Sequence, residues 1–173
     1  MTTNHEVGGS TPSQSTIYNN ESDKMKISVT GTDRGLGKSI ADYCEKFYTV
    51  TRISRSDDLR DYSVRQKIIY QECDIFISVA KPGFSQTEFL YEWYEVHGIG
   101  KRVINIGSAV VYNELWGDDV HMWRYHTQKR SLAHAVAQIN HPNITIINPG
   151  HLYNKDTYNY TVLQQWCKEN III

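Results

Sequence analysis

The sequence predicts a doubly wound α/β fold on a mainly parallel sheet, a single domain, and three observations carry that expectation. Short apolar runs alternate with amphipathic stretches along the chain, the order that produces a parallel sheet with helices packed on its faces. The run Asp74-Ile75-Phe76-Ile77-Ser78-Val79-Ala80 is apolar without a polar face, as a strand buried on both sides should be. A glycine-rich turn, Thr30-Gly31-Thr32-Asp33-Arg34-Gly35-Leu36-Gly37, stands between the first strand and the first helix.

Met25–Val29 reads as the first strand, and Lys38–Phe47 as a helix with Ile40, Ala41, Cys44 and Phe47 at helical spacing. Val50–Ser54 makes a second strand. Asp58-Leu59-Arg60-Asp61 follows almost at once, leaving little room for a crossover helix. A helix over Ser63–Tyr70 leads into the buried run, which Lys81-Pro82-Gly83 breaks. Gln86–His97 is helical with Phe89, Leu90, Trp93 and Val96 on one face, and Gly98 and Gly100 stop it. Arg102–Ile106 is the next buried strand. Beyond a polar, aromatic loop from Tyr112 to His121, a helix over Trp123–Gln138 buries Leu132, Ala133, Val136 and Ala137. Ile144–Ile147 is a further strand, stopped by Asn148-Pro149-Gly150. A final helix covers Thr161–Glu169, and Ile171-Ile172-Ile173 closes a chain without internal repeats.

A length of 173 residues suits one domain. The net charge of -1 and pI near 6.6 supply no basic footprint for nucleic acid, and no apolar run approaches a membrane span. Cys44, Cys73 and Cys167 are odd in number and far apart. That pattern argues against a disulfide framework and suits a reducing cytoplasm. The seven histidines show no spacing that suggests a metal. Residues 1–23 are rich in Ser, Thr, Asn and Gly, and read as a disordered arm rather than a secretory leader. The Asn-x-Ser/Thr sequons at Asn20, Asn143 and Asn159 are then coincidental.

A glycine-rich turn between strand and helix has a physical use. Gly31 permits a tight turn, Gly35 lets a pyrophosphate approach the backbone, and Gly37 lets the helix pack closely on the strand. The helix N-terminus then offers free N–H groups and a positive dipole end to the phosphates. The spacing T-G-x-x-x-G-x-G at Thr30, Gly31, Gly35 and Gly37 resembles the fingerprint of the short-chain dehydrogenase/reductase family.

Three further landmarks fall in order at strand ends. Asn105-Ile106-Gly107-Ser108 ends one strand, Tyr125-His126-Thr127-Gln128-Lys129 lies on the next helix, and Asn148-Pro149-Gly150 ends the following strand. A serine, then Tyr-x-x-x-Lys, then Pro-Gly is again the order of that family, and the resemblance runs over residues 25 to 152. Each piece alone is weak, since 12 tyrosines make a chance Tyr-x-x-x-Lys easy. Their joint order carries the weight.

Tyr125 and Lys129 are four apart and share a helical face. A tyrosine with an ordinary pKa near 10 is a poor acid–base catalyst at neutral pH, and an ammonium beside it favours the phenolate. Tyr125 can then give a proton to a carbonyl oxygen or take one from an alcohol, with Ser108 holding the same oxygen. The resemblance implies a Rossmann-like NAD(P)-binding reductase domain over residues 24–173, with Ser108, Tyr125 and Lys129 catalytic. It implies further that Lys129 binds the nicotinamide ribose, that Pro149 and Gly150 lie near the nicotinamide, and that Asp58-Leu59 lies beneath the adenine. Leu36 and Ala80 complete the implied cofactor site. The helices flanking the sheet are the family's usual oligomer surface, which implies a homodimer or homotetramer; Ala133, Ala135 and Ala137 would permit close helix approach.

Charge bears on which dinucleotide is held. The second strand ends in Ser54-Arg55-Ser56, and Arg34 sits within the glycine turn. Two guanidinium groups there suit the 2′-phosphate of NADPH, while Asp57 is the possible acid of an NADH enzyme. NADPH is the favoured cofactor.

The chain departs from the family as well. Ser78-Val79-Ala80-Lys81 replaces Asn-Asn-Ala-Gly, and the stretch to Arg102 is short and contains no asparagine to serve as the family's fourth catalytic residue. The interval from Ser108 to Tyr125 is somewhat long, and the chain stops soon after Gly150. Tyr112, Trp116, Trp123 and Tyr153 lie where they could line a pocket for a small carbonyl or alcohol substrate. The leading expectation is a carbonyl–alcohol oxidoreductase using Ser108, Tyr125 and Lys129. The alternatives are a dinucleotide-sensing protein without turnover, and an epimerase or dehydratase on the same triad.

Overall fold

A computed structural model describes residues 24–80, 82–112, 119–150 and 160–171. The N-terminal arm over residues 1–23 lies outside them, as do Lys81, Trp116, Tyr153, Ile172 and Ile173. The described chain runs β1 (Lys26–Thr30), α1 (Gly35–Cys44), β2 (Thr49–Ile53), α2 (Tyr62–Ile69) and β3 (Ile75–Ser78). It continues through α3 (Ser85–His97), β4 (Arg102–Ile106), a short 3₁₀ turn (Ala109–Tyr112), α4 (Val120–Ile139), β5 (Ile144–Ile147) and α5 (Tyr160–Asn170). The strands form one parallel sheet in the order β2-β1-β3-β4-β5. From β1 the chain steps outward to β2, then returns across β1 to β3. The order reverses between β1 and β3, and in such sheets ligands bind outside the carboxyl ends of the strands at that point.

Side chains alternate across the strands and divide the core in two. Phe76 and Val103 face α2, α3 and α4 and pack with Leu59, Ile68, Phe89, Trp93, Leu132 and Val136. Ile75, Ile77, Ile104 and Ile106 face the other way and meet Ile40, Cys44, Cys167 and Ile171 of α1, α5 and the residue after α5. Phe76, Phe89 and Trp93 form an aromatic cluster, with centroids 4.3 Å apart for the two phenylalanines and 5.1 Å apart for Phe76 and Trp93. Each such pair contributes about 0.5–1.5 kcal/mol beyond the area it buries.

Several local expectations are corrected. Helix α1 begins at Gly35 and ends at Cys44, so Phe47 lies beyond it and is 57% exposed. Strand β3 stops at Ser78 rather than Ala80, because the N–H groups of Val79 and Ala80 donate to the hydroxyl of Thr30 instead of to a neighbouring strand. Val96 is exposed on α3. On α4 the buried small residue is Ala135, packed inside the core, whereas Ala133 is half-buried and Ala137 exposed. Leu132 and Val136 stay on the inward face of α4, which turns towards His126, Lys129 and Ala135, all buried, and away from Ala133 and Ala137. Asp119 caps α4 by accepting from the His121 N–H, and Asn140 ends it with a φ of 47°.

Candidate active site

The glycine turn leaves β1 and is sewn to β2. The N–H of Gly31 donates to the Ile53 carbonyl at 2.9 Å, and the carboxylate of Asp33 accepts the Arg55 N–H at 2.8 Å. Gly31 and Gly35 take φ values of 72° and 60°, where side chains are strained. A Cβ on Gly37 would collide with the carbonyl oxygen of Gly31, so helix α1 can start this close to the turn only with glycine there. Arg34 stands at the N-cap of α1 in extended conformation and makes no side-chain cap. The first N–H groups of the helix therefore keep their capacity for an anion.

Behind the turn, Ala80 closes against Gly31, where a Cβ would meet it at 3.2–3.3 Å. The Thr30 hydroxyl holds this approach by accepting the N–H groups of Val79 and Ala80 at 2.8 and 3.0 Å. Leu36, in the first turn of α1, packs on the core beside it. Past β2, Arg34 and Arg55 are both exposed, and neither guanidinium has an ion-pair partner among the described residues. The nearby acids are engaged locally. Asp57 accepts the Ser54 N–H at 3.1 Å. Asp58 is bound by the side chain and N–H of Arg60, which push its carboxyl down to about 2. Leu59 is buried and forms a floor at this end of the site. Arg65 fixes that floor: its guanidinium donates to the carbonyls of Leu59 and Arg60 and to both oxygens of Glu92 on α3.

Across the sheet, α4 brings Tyr125 and Lys129 to the end of β4. Lys129 is only 4% exposed. Its ammonium donates to the Ile106 carbonyl and to Gln86 Oε1, both at 2.8 Å, and lies 6.0 Å from the centre of the Tyr125 ring. Ile106 is two residues before Ser108, so the lysine reaches the strand end from which the serine leaves. The Ser108 N–H donates to Asn148 Oδ1 at 3.0 Å, and Asn148 Nδ2 donates to the Tyr112 hydroxyl at 2.9 Å. A Cβ on Gly107 would run into Asn148 Oδ1, so that side chain would have to swing away from the Ser108 N–H. The Pro149 carbonyl accepts the Ala109 N–H at 2.9 Å, tying the end of β5 to the serine turn, and Gly150 follows exposed.

Two groups of expected residues thus lie along the carboxyl end of the sheet. Gly31, Arg34, Gly35, Leu36, Gly37, Arg55, Asp58, Leu59 and Ala80 gather around β1, β2 and β3; Ser108, Tyr125, Lys129, Pro149 and Gly150 gather around β4 and β5. Gln86 and Asn148 were not expected to take part. Gln86 occupies the stripe Gln86, Phe89, Leu90, Trp93 of α3, and a polar residue in register with an apolar stripe is the signal of a buried amide. Among the described residues no cluster of His, Cys, Asp and Glu suits a metal ion, and no helix is long and apolar enough to cross a membrane.

No protein-family model matches the sequence, and no curated protein matches it. Solved structures do match its fold. A serine dehydrogenase from Escherichia coli is similar over 86% of this chain and 92% of its own, with a TM-score of 0.58 and 13% identity. A short-chain dehydrogenase from Burkholderia cenocepacia in complex with NADP matches over 79% and 76%, at a TM-score of 0.60 and 14% identity. A short-chain dehydrogenase/reductase from Serratia marcescens matches over 84% and 86%, at 0.58 and 17%. The fold of this chain is that of the short-chain dehydrogenases/reductases, a Rossmann-like α/β domain.

Proposed function

We propose that the protein is an NADPH-dependent oxidoreductase of the short-chain class that interconverts a carbonyl and a secondary alcohol. The observation that carries this reading is the buried Lys129, four residues beyond Tyr125, with its ammonium at the end of β4 that leads to Ser108. A buried lysine costs free energy unless its charge is used or paired, and here it stands beside a phenol.

The cradle fits a dinucleotide. Its turn tolerates no side chain at Gly37, and the α1 N-terminus is left without a side-chain cap. Gly31, Gly35, Leu36, Gly37 and Ala80 would border the pyrophosphate, Leu59 and Asp58 the adenine, and Lys129, Pro149 and Gly150 the nicotinamide end. Arg34 and Arg55 suit a 2′-phosphate, and the engagement of Asp57 with its own turn favours NADPH over NADH. When bound, NADPH supplies the hydride that the carbonyl carbon accepts. The Tyr125 hydroxyl delivers the proton to the carbonyl oxygen, the Ser108 hydroxyl donates to that same oxygen, and the Lys129 charge stabilises the phenolate left behind.

Residues 24–173 act as one domain in this reading, in a cytoplasmic homodimer or homotetramer, and light scattering tests the assembly. Loss of absorbance from NADPH in the presence of a panel of aldehydes and ketones tests the activity. A second reading, a dinucleotide sensor without turnover, is favoured by the short stretch from Ala80 to Arg102, which contains no asparagine to serve as a fourth catalytic residue. Tight NADPH binding with no consumption across the panel would select it.

A further inference from the structure

We infer that Gln86 is the positioning residue that sets the Lys129 ammonium and ties it to the cofactor cradle, an inference that rests on the reading of Lys129 above. Gln86 is 5% exposed, at the start of α3. Its Nε2 donates to the Ser78 carbonyl at 3.0 Å and the Ile106 carbonyl at 3.3 Å, with the Ser78 hydroxyl also at 3.3 Å. Its Oε1 accepts from Lys129 at 2.8 Å. One amide therefore joins the ends of β3 and β4 to α4.

The orientation of that amide has one consistent choice. Reversing it would set an NH₂ against the Lys129 ammonium and an oxygen against two carbonyl oxygens, placing like dipoles together at a buried site. The two strand ends thus dictate where Oε1 points, and Oε1 dictates where the ammonium sits. Ser78 leads directly to Val79 and Ala80, which back the glycine turn through Thr30. Gln86 is thereby the physical connection between the dinucleotide cradle and the acid–base pair. An aliphatic side chain at 86 would fill the space but leave the ammonium with one acceptor fewer, and its position at the end of β4 less tightly set.

The test is a double-mutant cycle on NADPH affinity with Gln86→Leu, Lys129→Met and the double variant. Gln86→Leu is expected to weaken NADPH about tenfold, the worth of one hydrogen bond to a charged group, and to change nothing further when Lys129 is already Met. An equal loss in both backgrounds, or no loss with Lys129 present, would overturn the inference. Acetic anhydride labelling of Lys129, read by peptide mass without cofactor, decides the contact separately: Gln86→Leu should speed it several-fold, and an unchanged rate overturns the inference even if the wild-type protein fails to bind NADPH. That failure to bind would instead fall on the proposed function. Should Gln86→Leu not fold, Gln86→Met, unbranched and of similar length, takes its place in both measurements. If that also fails to fold, the residue is a stability element and the positioning role is wrong.

Discussion

The backbone N–H of Arg55 donates to the side chain of Asp33 at 2.8 Å, which joins the glycine turn to the loop after β2. Arg34 directly follows Asp33, so both arginines flank this contact with their side chains exposed, while the Asp33 carboxylate is engaged by a backbone amide. NADPH should accordingly bind about tenfold or more tightly than NADH, and Arg55→Glu should erase most of the difference. Calorimetry with both dinucleotides measures it, and equal affinities in the wild-type protein would refute the charge argument.

Gly37→Ala should both destabilise the protein and abolish dinucleotide binding. The new Cβ runs into the Gly31 carbonyl, and backbone on both sides has to shift. Overpacking of this kind costs about 1–3 kcal/mol. Thermal melting together with NADPH titration checks both parts; an unshifted melting temperature would mean that the turn is looser than described.

Much of this arrangement was legible in the residues. The strand–turn–helix corner follows from glycine spacing against an apolar run, and the joint order of Ser108, Tyr125, Lys129 and Pro149-Gly150 names residues that lie near the carboxyl ends of β4 and β5. What escaped were the features that depend on contacts between distant segments. Apolarity extends strand β3 two residues too far, over Val79 and Ala80, yet their N–H groups go to Thr30, 49 and 50 residues away. Ala133 and Ala137 were read as buried on α4 by periodicity, yet Lys129 takes an inward position that hydropathy alone never assigns to a lysine. Gln86 has the same origin: its amide is satisfied only after β3, β4 and α4 have met.

Arg65→Met should cost about 3 kcal/mol, at the low end for breaking a buried ion pair because the orphaned Glu92 keeps some water. The Arg65 side chain is 7% exposed and that of Glu92 16%. Its loss also releases the Leu59 and Arg60 carbonyls, so NADPH affinity should fall as well. Urea unfolding that showed no change in midpoint would remove Arg65 as the clamp on the Leu59 and Arg60 carbonyls.

The three thiols should be silent to a soluble disulfide reagent in the native protein at pH 8 and react together on unfolding. All three are buried. Burial pushes Cys44 up to about 11 and Cys167 up to about 12, with Glu45 adding to the first and Cys44 to the second, and it raises Cys73 too. The native state then holds protons that the unfolded chain releases, so stability should fall as pH climbs from the ordinary thiol value near 9 towards 11. Rapid native labelling would contradict the packing of α1 on α5.

The most direct test of the account compares wild-type protein with Tyr125→Phe, both saturated with NADPH and offered the same aldehydes and ketones. The prediction is consumption of NADPH by the wild type and none by the variant, with NADPH affinity nearly equal in the two because the hydroxyl carries the proton and is not the main holder of the dinucleotide. Lys129→Ala should lose both turnover and affinity. Turnover by Tyr125→Phe at the wild-type rate would contradict the assignment of Tyr125 as the proton donor.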